Sequence, residues 1–201
     1  SFGVDWYVPT TEMTPELYPN MVVKQKNLNI RINRWHTRPP AQYVLDINDE
    51  MGMLTHLESI LYARGFMKHA DKERLFESTR AWIAEWVVAN RNHPSVIKWG
   101  ACNEMTYSSM TGEYDKRRLI GSLEDAILQH DATRPVNFDG EADVGRSTVD
   151  HHYLEGYNTE PQGSIYSWAR YVHPGKPTGM GEVLHTKSPD QRPQLQRALQ
   201  R

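Results

Sequence analysis

The chain has 201 residues, with 23 Lys and Arg against 25 Asp and Glu, a formal net charge of −2. That balance offers no basic excess to a phosphate backbone, so no nucleic acid partner is expected; 6 Trp, 10 Tyr and 4 Phe exclude a disordered chain. No apolar run approaches the roughly 20 residues that cross a bilayer, so no membrane partner is expected either, and the single Cys102 can form neither an intramolecular disulfide nor a cysteine-based zinc cluster.

In chain order, residues 3–8 (GVDWYV) read as a strand ending at Pro9. Residues 15–28 place Leu17, Tyr18, Met21 and Val22 at helical spacing, with Pro19 in the first turn. Residues 28–33 (LNIRIN) alternate apolar and polar as a strand does. Pro39-Pro40 open a helix with Tyr43, Val44, Ile47 and Met51 on one face, and Gly52 stops it. Residues 53–58 are strand-like. Residues 71–90 form the clearest helix, whose stripe is Leu75, Phe76, Thr79, Trp82, Ile83, Trp86 and Val87. Asn92-His93-Pro94 break it before a strand at 95–102. A helix at 115–130 turns Leu119, Ile120, Leu123 and Ile127 inward. Shorter strands are expected at 136–138, 148–153 and 178–183, a loop at 154–176 and a polar helix at 191–201.

Repeated strand–helix alternation means parallel strands with helical crossovers, in a doubly wound sheet or a (β/α)₈ barrel. A dinucleotide-binding sheet needs a glycine fingerprint after its first strand, and neither that nor a phosphate-binding loop is present. Polar residues gather instead at the C-terminal ends of strands: Arg31, Glu58, Asn103-Glu104, Asp139, Tyr153 and Glu182. A barrel carries its active site at that end. The fold class is therefore read as α/β, a (β/α)₈ TIM barrel, with seven strand candidates and no visible eighth. Residues 1–201 are read as a single catalytic barrel domain. The chain opens on Ser1 without a signal peptide, so a processed form or an excerpt of a longer chain is expected. A missing strand would leave unpaired edges, to be covered by self-association or by additional domains. The chain reads as soluble, with its compartment left open.

Two carboxylates stand out. Glu104 follows the apolar strand VIKWGAC and the amide of Asn103; Glu182 ends the run PTGMGEV. A carboxylate just beyond a buried strand is costly there unless it is paired or used. Two of them across a barrel mouth are what glycoside hydrolysis requires, one to protonate the leaving oxygen and one to attack the anomeric carbon or activate water. The alternative for each is an ordinary salt bridge at a strand end.

The run Asn92-His93-Pro94-Ser95-Val96-Ile97-Lys98-Trp99, leading to Asn103-Glu104, closely resembles the acid/base segment of family 2 glycoside hydrolases, a group that includes β-galactosidases, β-glucuronidases and β-mannosidases. Other pieces fall in the family's order. Asn29-Ile30-Arg31-Ile32 resembles its second strand with its arginine. Asn48-Asp49-Glu50-Met51-Gly52-Met53-Leu54 is similar to its "CDELGLL" stretch, with Asn48 in place of Cys. Asp131-Ala132-Thr133-Arg134-Pro135-Val136 resembles its turn into the fifth strand. Asp150-His151-His152-Tyr153 looks like the sixth strand, and Lys176-Pro177 through Gly181-Glu182 the seventh.

The resemblance implies a retaining β-glycosidase with Glu104 as general acid/base and Glu182 as nucleophile. It implies that Asn103 bonds the sugar 2-hydroxyl, that Arg31 sits beside the nucleophile and keeps it ionised, and that Tyr153 donates its hydroxyl to the nucleophile. His36 and His151 are further candidates for sugar contact, and His93 reads as structural. A carbohydrate, a β-glycoside, is the expected substrate; no cofactor and no metal is expected. Two other readings stay open: a catalytically inactive barrel or carbohydrate-binding remnant, and a metal-dependent hydrolase using the histidines and Asp139.

Overall fold

The structure is a computed structural model that describes residues 2–4, 13–62, 71–105, 116–141, 143–152 and 174–182. Short apolar runs form the parallel strands β1 (Phe2–Val4), β2 (Ile32–Trp35), β3 (Leu54–Glu58), β4 (Val96–Asn103), β5 (Val136–Asp139), β6 (Val149–His152) and β7 (Thr178–Glu182). Amphipathic stretches between them form α1 (Tyr18–Asn27), α2 (Gln42–Met51), α3 (Lys72–Asn90) and α4 (Gly121–Leu128), the last entered through a π-helical turn at Lys116–Ile120.

Strands β1 to β5 lie side by side in sequence order, each parallel to its neighbours. Strands β6 and β7 form a second parallel pair. Polar bonds stitch the two together: the Thr148 hydroxyl donates to Val136 O at 2.9 Å, and the Gly140 N–H donates to Asp150 Oδ1 at 3.1 Å. Strictly sequential order is the winding of a (β/α)₈ barrel; a doubly wound sheet reverses direction at a switch point. Among the described residues β1 and β7 do not pair, so these strands form an open barrel wall. The polar helix expected at 191–201 and most of the loop expected at 154–176 lie outside the described residues.

Local chemistry explains several element ends. Gly52 takes a left-handed φ of 64° and stops α2, a conformation that costs glycine little. The Asp71 side chain accepts from Arg74 N at 3.0 Å and caps α3. Strand β2 begins later than its alternation suggests. Asn29 is left-handed (φ 60°), and the Ile30 N–H is spent on Gln25 O at 3.0 Å. Residues 28–30 thus finish α1, and the sheet starts at Ile32.

The core lies between the strands and the helices. The stripe of α3 buries Phe76, Ile83, Trp86 and Val87. Trp86 stacks on Trp82 with centroids 5.3 Å apart and meets Trp99 of β4 edge-on at 4.9 Å. Such aromatic pairs add about 0.5–1.5 kcal/mol each beyond their area. Asn48, where the family pattern has Cys, is buried but satisfied: Tyr18 donates to its Oδ1 at 2.9 Å, and its Nδ2 donates to Thr55 Oγ1 at 3.1 Å. At the strand entries His93 pairs with Asp49 at 2.6 Å, the structural place expected for it.

This packing assigns the faces. Asn33 donates to Gln25 on α1 at 3.0 Å and Thr55 bonds α2, so these side chains point outward. Their alternates Arg34, His56 and Glu58 point into the barrel.

Candidate active site

Inward-facing polar residues from the strand ends converge on Arg34. Its Nε donates to Glu58 and lies 3.3 Å from Asp139 Oδ1. Its Nη1 donates to Glu182 Oε1 at 3.0 Å, and its Nη2 to Asn103 Oδ1 at 2.6 Å. One planar fork thus ties β2 to the ends of β3, β4, β5 and β7. Burial works against its charge, but Asp139, Glu58 and Glu182 outweigh that and raise its pKa further.

Glu104 leaves β4 in the left-handed region at φ 52°, with its N–H on Asp139 O at 2.9 Å. A non-glycine residue held there is strained, and such strain gathers at functional positions. The effect is to swing the carboxylate toward β6 and β7. Glu104 Oε1 lies 3.0 Å from His152 Nδ1, which lies 3.9 Å from Glu182 Oε1. Glu104, His152 and Glu182 each bring one ligating atom within 4.8 Å of the others. The carboxylates of Glu104 and Glu182 therefore face one another with their near oxygens no farther apart than that.

Beneath them lies a buried layer. His56 Nε2 is 3.3 Å from Asp139 Oδ2, and burial pushes the imidazole below its ordinary pKa. Burial alone would raise the Asp139 carboxyl, yet His56 and Arg34 hold it well below the usual range. Asp150 is the opposite case: burial, and then the Asp139 charge, raise it. Gly100 leaves room for this layer, since a Cβ there would stand 2.4 Å from Glu58 Cγ and 2.8 Å from His56 Nε2.

The structure brings Glu104, Glu182, Asn103 and His36 together. Asn103 is fully buried, its Oδ1 held by Arg34 and its Nδ2 without a hydrogen-bond partner among the described residues. His36 Nδ1 sits 3.4 Å from Glu58 Oε2 and 3.9 Å from Glu182 Oε1. Two expectations are corrected. The arginine beside Glu182 is Arg34: Arg31 precedes β2, is exposed, and donates to Lys26 O at 2.7 Å. The histidine set against the carboxylates is His152, while its neighbour His151 is half-buried. Tyr153 lies outside the described residues. Arg34 is legible by counting: it lies two beyond Ile32 on the inward parity, one residue short of the end of its strand, where Glu58 ends β3.

Among the described residues, three donor groups here have spacing that could hold a metal ion: Glu104, His152 and Glu182; His56, Glu58 and Asp139; and Asp139, Asp150 and His152. In each, Arg34 already pairs with at least one carboxylate, so a guanidinium competes for the cation's place.

Residues 19–195 match the family described as glycosyl hydrolases family 2, TIM barrel domain. A β-galactosidase of Pectobacterium atrosepticum is 25% identical over 184 residues, which is 82% of this chain and 16% of that protein. The apo structure of Bacteroides uniformis β-glucuronidase 3 is similar with a TM-score of 0.53 and 26% identity, over 61% of this chain and 16% of that one. A β-glucuronidase of Parabacteroides merdae shares the fold at a TM-score of 0.55 and 23% identity, over 68% of this chain and 17% of that one. The chain thus spans about a sixth of the length of these relatives. Sequential parallel winding, carboxylates at the strand ends and a match over most of the chain agree: this chain belongs to the TIM barrel domain family of the family 2 glycosyl hydrolases.

Proposed function

We propose that this chain is one catalytic barrel domain of a retaining β-glycosidase, with Glu182 as nucleophile and Glu104 as general acid/base. The observation that carries the reading is the approach of a Glu104 oxygen to a Glu182 oxygen within 4.8 Å. An inverting enzyme needs its carboxyls about 6.5–9.5 Å apart to seat a water, whereas a retaining pair stands at about 5–5.5 Å. In the first step a Glu182 oxygen bonds the anomeric carbon while Glu104 gives its proton to the departing glycosidic oxygen. In the second, Glu104 takes a proton from water as that water displaces Glu182.

Arg34 supplies the counter-charge of Glu182 and fixes its orientation. The Nδ2 of Asn103, without a partner among the described residues, is the donor suited to a sugar hydroxyl, with the other end of the amide already pinned. His36 lies close enough to Glu182 to border the same sugar. The substrate proposed is a β-glycoside; the β-galactosidase and β-glucuronidase relatives favour galactosides and glucuronides for the first trials.

A panel of aryl β-glycosides (galactoside, glucuronide, mannoside, glucoside) tests the reading. Turnover of one of them with a first-formed product of retained configuration by NMR is expected. An inverted first product rejects the retaining mechanism. No turnover of any, by a folded protein, favours the carbohydrate-binding remnant; turnover abolished by a chelator favours the metal-dependent hydrolase.

A further inference from the structure

Behind Glu104 the barrel holds a second group whose placement the two-glutamate reading does not use. The His152 ring is fully buried and slotted between two glycines. A Cβ on Gly140 would stand 2.8 Å from its Nδ1, and one on Gly181 would stand 2.6 Å from its Nε2. Its Nδ1 is 3.0 Å from Glu104 Oε1, and its Nε2 is 3.6 Å from Asp150 Oδ1. Asp150 is itself fastened, because its Oδ1 accepts from Gly140 N at 3.1 Å and Gly181 N at 3.2 Å. Buried carboxylate, clamped imidazole and Glu104 thus stand in series.

Resting on the assignment of Glu104 as acid/base, we infer that His152 is a positioning residue: it donates from Nδ1 to Glu104 Oε1 in both steps and so reserves Oε2 for the proton in transit. Oε1 is occupied whether Glu104 is acid or carboxylate, so the carboxyl cannot rotate to present the wrong oxygen. No proton passes through the imidazole, and the proton lost to the leaving oxygen returns to Glu104 from water. The tautomer required carries hydrogen on Nδ1, which the carboxylate acceptor selects. Asp150 faces Nε2 and steadies the ring when that nitrogen is protonated as well.

Among the described residues, the charged groups facing His152 are Glu104 beyond β4, Arg34 on β2, Asp139 on β5, Asp150 on its own strand and Glu182 on β7. Burial works against the imidazolium, but the bond to Glu104 and the charges of Glu182 and Asp150 leave its pKa above the ordinary value. The titration of His152 should therefore contribute to the basic limb of the rate profile.

Two measurements on the native protein decide the matter. In the first, kcat is compared for aryl β-glycosides with good and poor leaving groups. His152→Ala should cost about tenfold or more on the poor leaving group, as loss of general-acid efficiency does, and far less on the activated one. His152→Asn, which restores a donor near the Nδ1 position, should recover much of that loss. Equal losses on both substrates, or no recovery with Asn, overturn the inference. The second is an NMR titration of the His152 ring, which needs no activity. Its pKa should lie above about 6.5 in the unaltered protein and fall in Glu104→Gln. A titration unmoved by Glu104→Gln breaks the pairing even if every glycoside is cleaved. A protein that cleaves none defeats the functional reading, while the titration still decides the pairing.

Discussion

At the residue scale two glutamates of one type hold unlike positions. Glu182 has Arg34 beside it as a full counter-charge; Glu104 has an imidazole and a strained backbone. The roles proposed for them predict different failures. Glu104→Ala should lower kcat by about 10²–10⁴ on poor leaving groups and spare activated aryl glycosides by comparison. Glu182→Ala should abolish both, because no covalent intermediate forms. Initial rates on a phenyl and a dinitrophenyl glycoside check this, and equal losses would reverse the assignment. Arg34→Lys keeps the charge but not the fork that reaches Glu58, Asn103 and Glu182 together. A lower Tm and a fall in kcat larger than any change in KM are expected, measured by calorimetry and steady-state kinetics. A variant with wild-type kcat would show that the fork is dispensable.

At the element scale the strands matter as carriers of parity. Strand β4 must bring Trp99 outward onto Trp86 and leave nothing inward at Gly100, where Glu58, His56 and Asp139 meet. Gly100→Ala places a carbon 2.4 Å from Glu58 Cγ, so side chains must shift. A loss of about 1–3 kcal/mol is expected, with reduced activity because Glu58 carries Arg34. Gly121 begins α4 with nothing within 4 Å of an added Cβ. Gly121→Ala should be neutral or stabilise by up to about 1 kcal/mol. Urea midpoints of the pair separate a packing effect from a general intolerance of alanine for glycine.

At the scale of the whole molecule the two ends of the barrel do different work. The C-terminal ends hold the charged cluster; the N-terminal ends hold structure. There Asp131 accepts from Trp99 Nε1 at 3.0 Å and Thr133 N at 2.9 Å, and pairs with Arg134. Burial would raise its pKa, but these bonds outweigh it and lower the carboxyl from 3.8 to about 2. A carboxyl depressed in the folded state contributes stability above its unfolded pKa and loses it as the pH falls through the folded one. Asp131→Asn should therefore flatten the fall in stability between about pH 4 and pH 2. Urea midpoints at pH 5 and pH 2.5 test it; an unchanged slope would mean that the bonds do not hold the charged form.

Read alone, the sequence determined the periodic features of this protein. Alternating apolar runs and helical stripes set seven strands and the helices around Tyr18, Val44, Phe76 and Leu123, because burial follows directly from a period of two or 3.6. Gly52 and Asp71 fixed helix ends by local chemistry, and the motif around Glu104 carried the family. The tertiary structure decided what periodicity does not encode. Arg31 lies within the strand expected at 28–33, and Arg34 one residue beyond it. The left-handed turn at Asn29 and the late start of β2 leave the first ahead of the sheet and the second inside the barrel. His151 and His152 are indistinguishable as letters, and a register irregularity between β6 and β7 at that step accompanies the placement of His152 against Glu104. Asp139, Asp150 and His56 are ordinary strand residues until packing removes their water. Their pKa values then diverge, because burial and neighbouring charge are properties of three-dimensional distance and not of position along the chain.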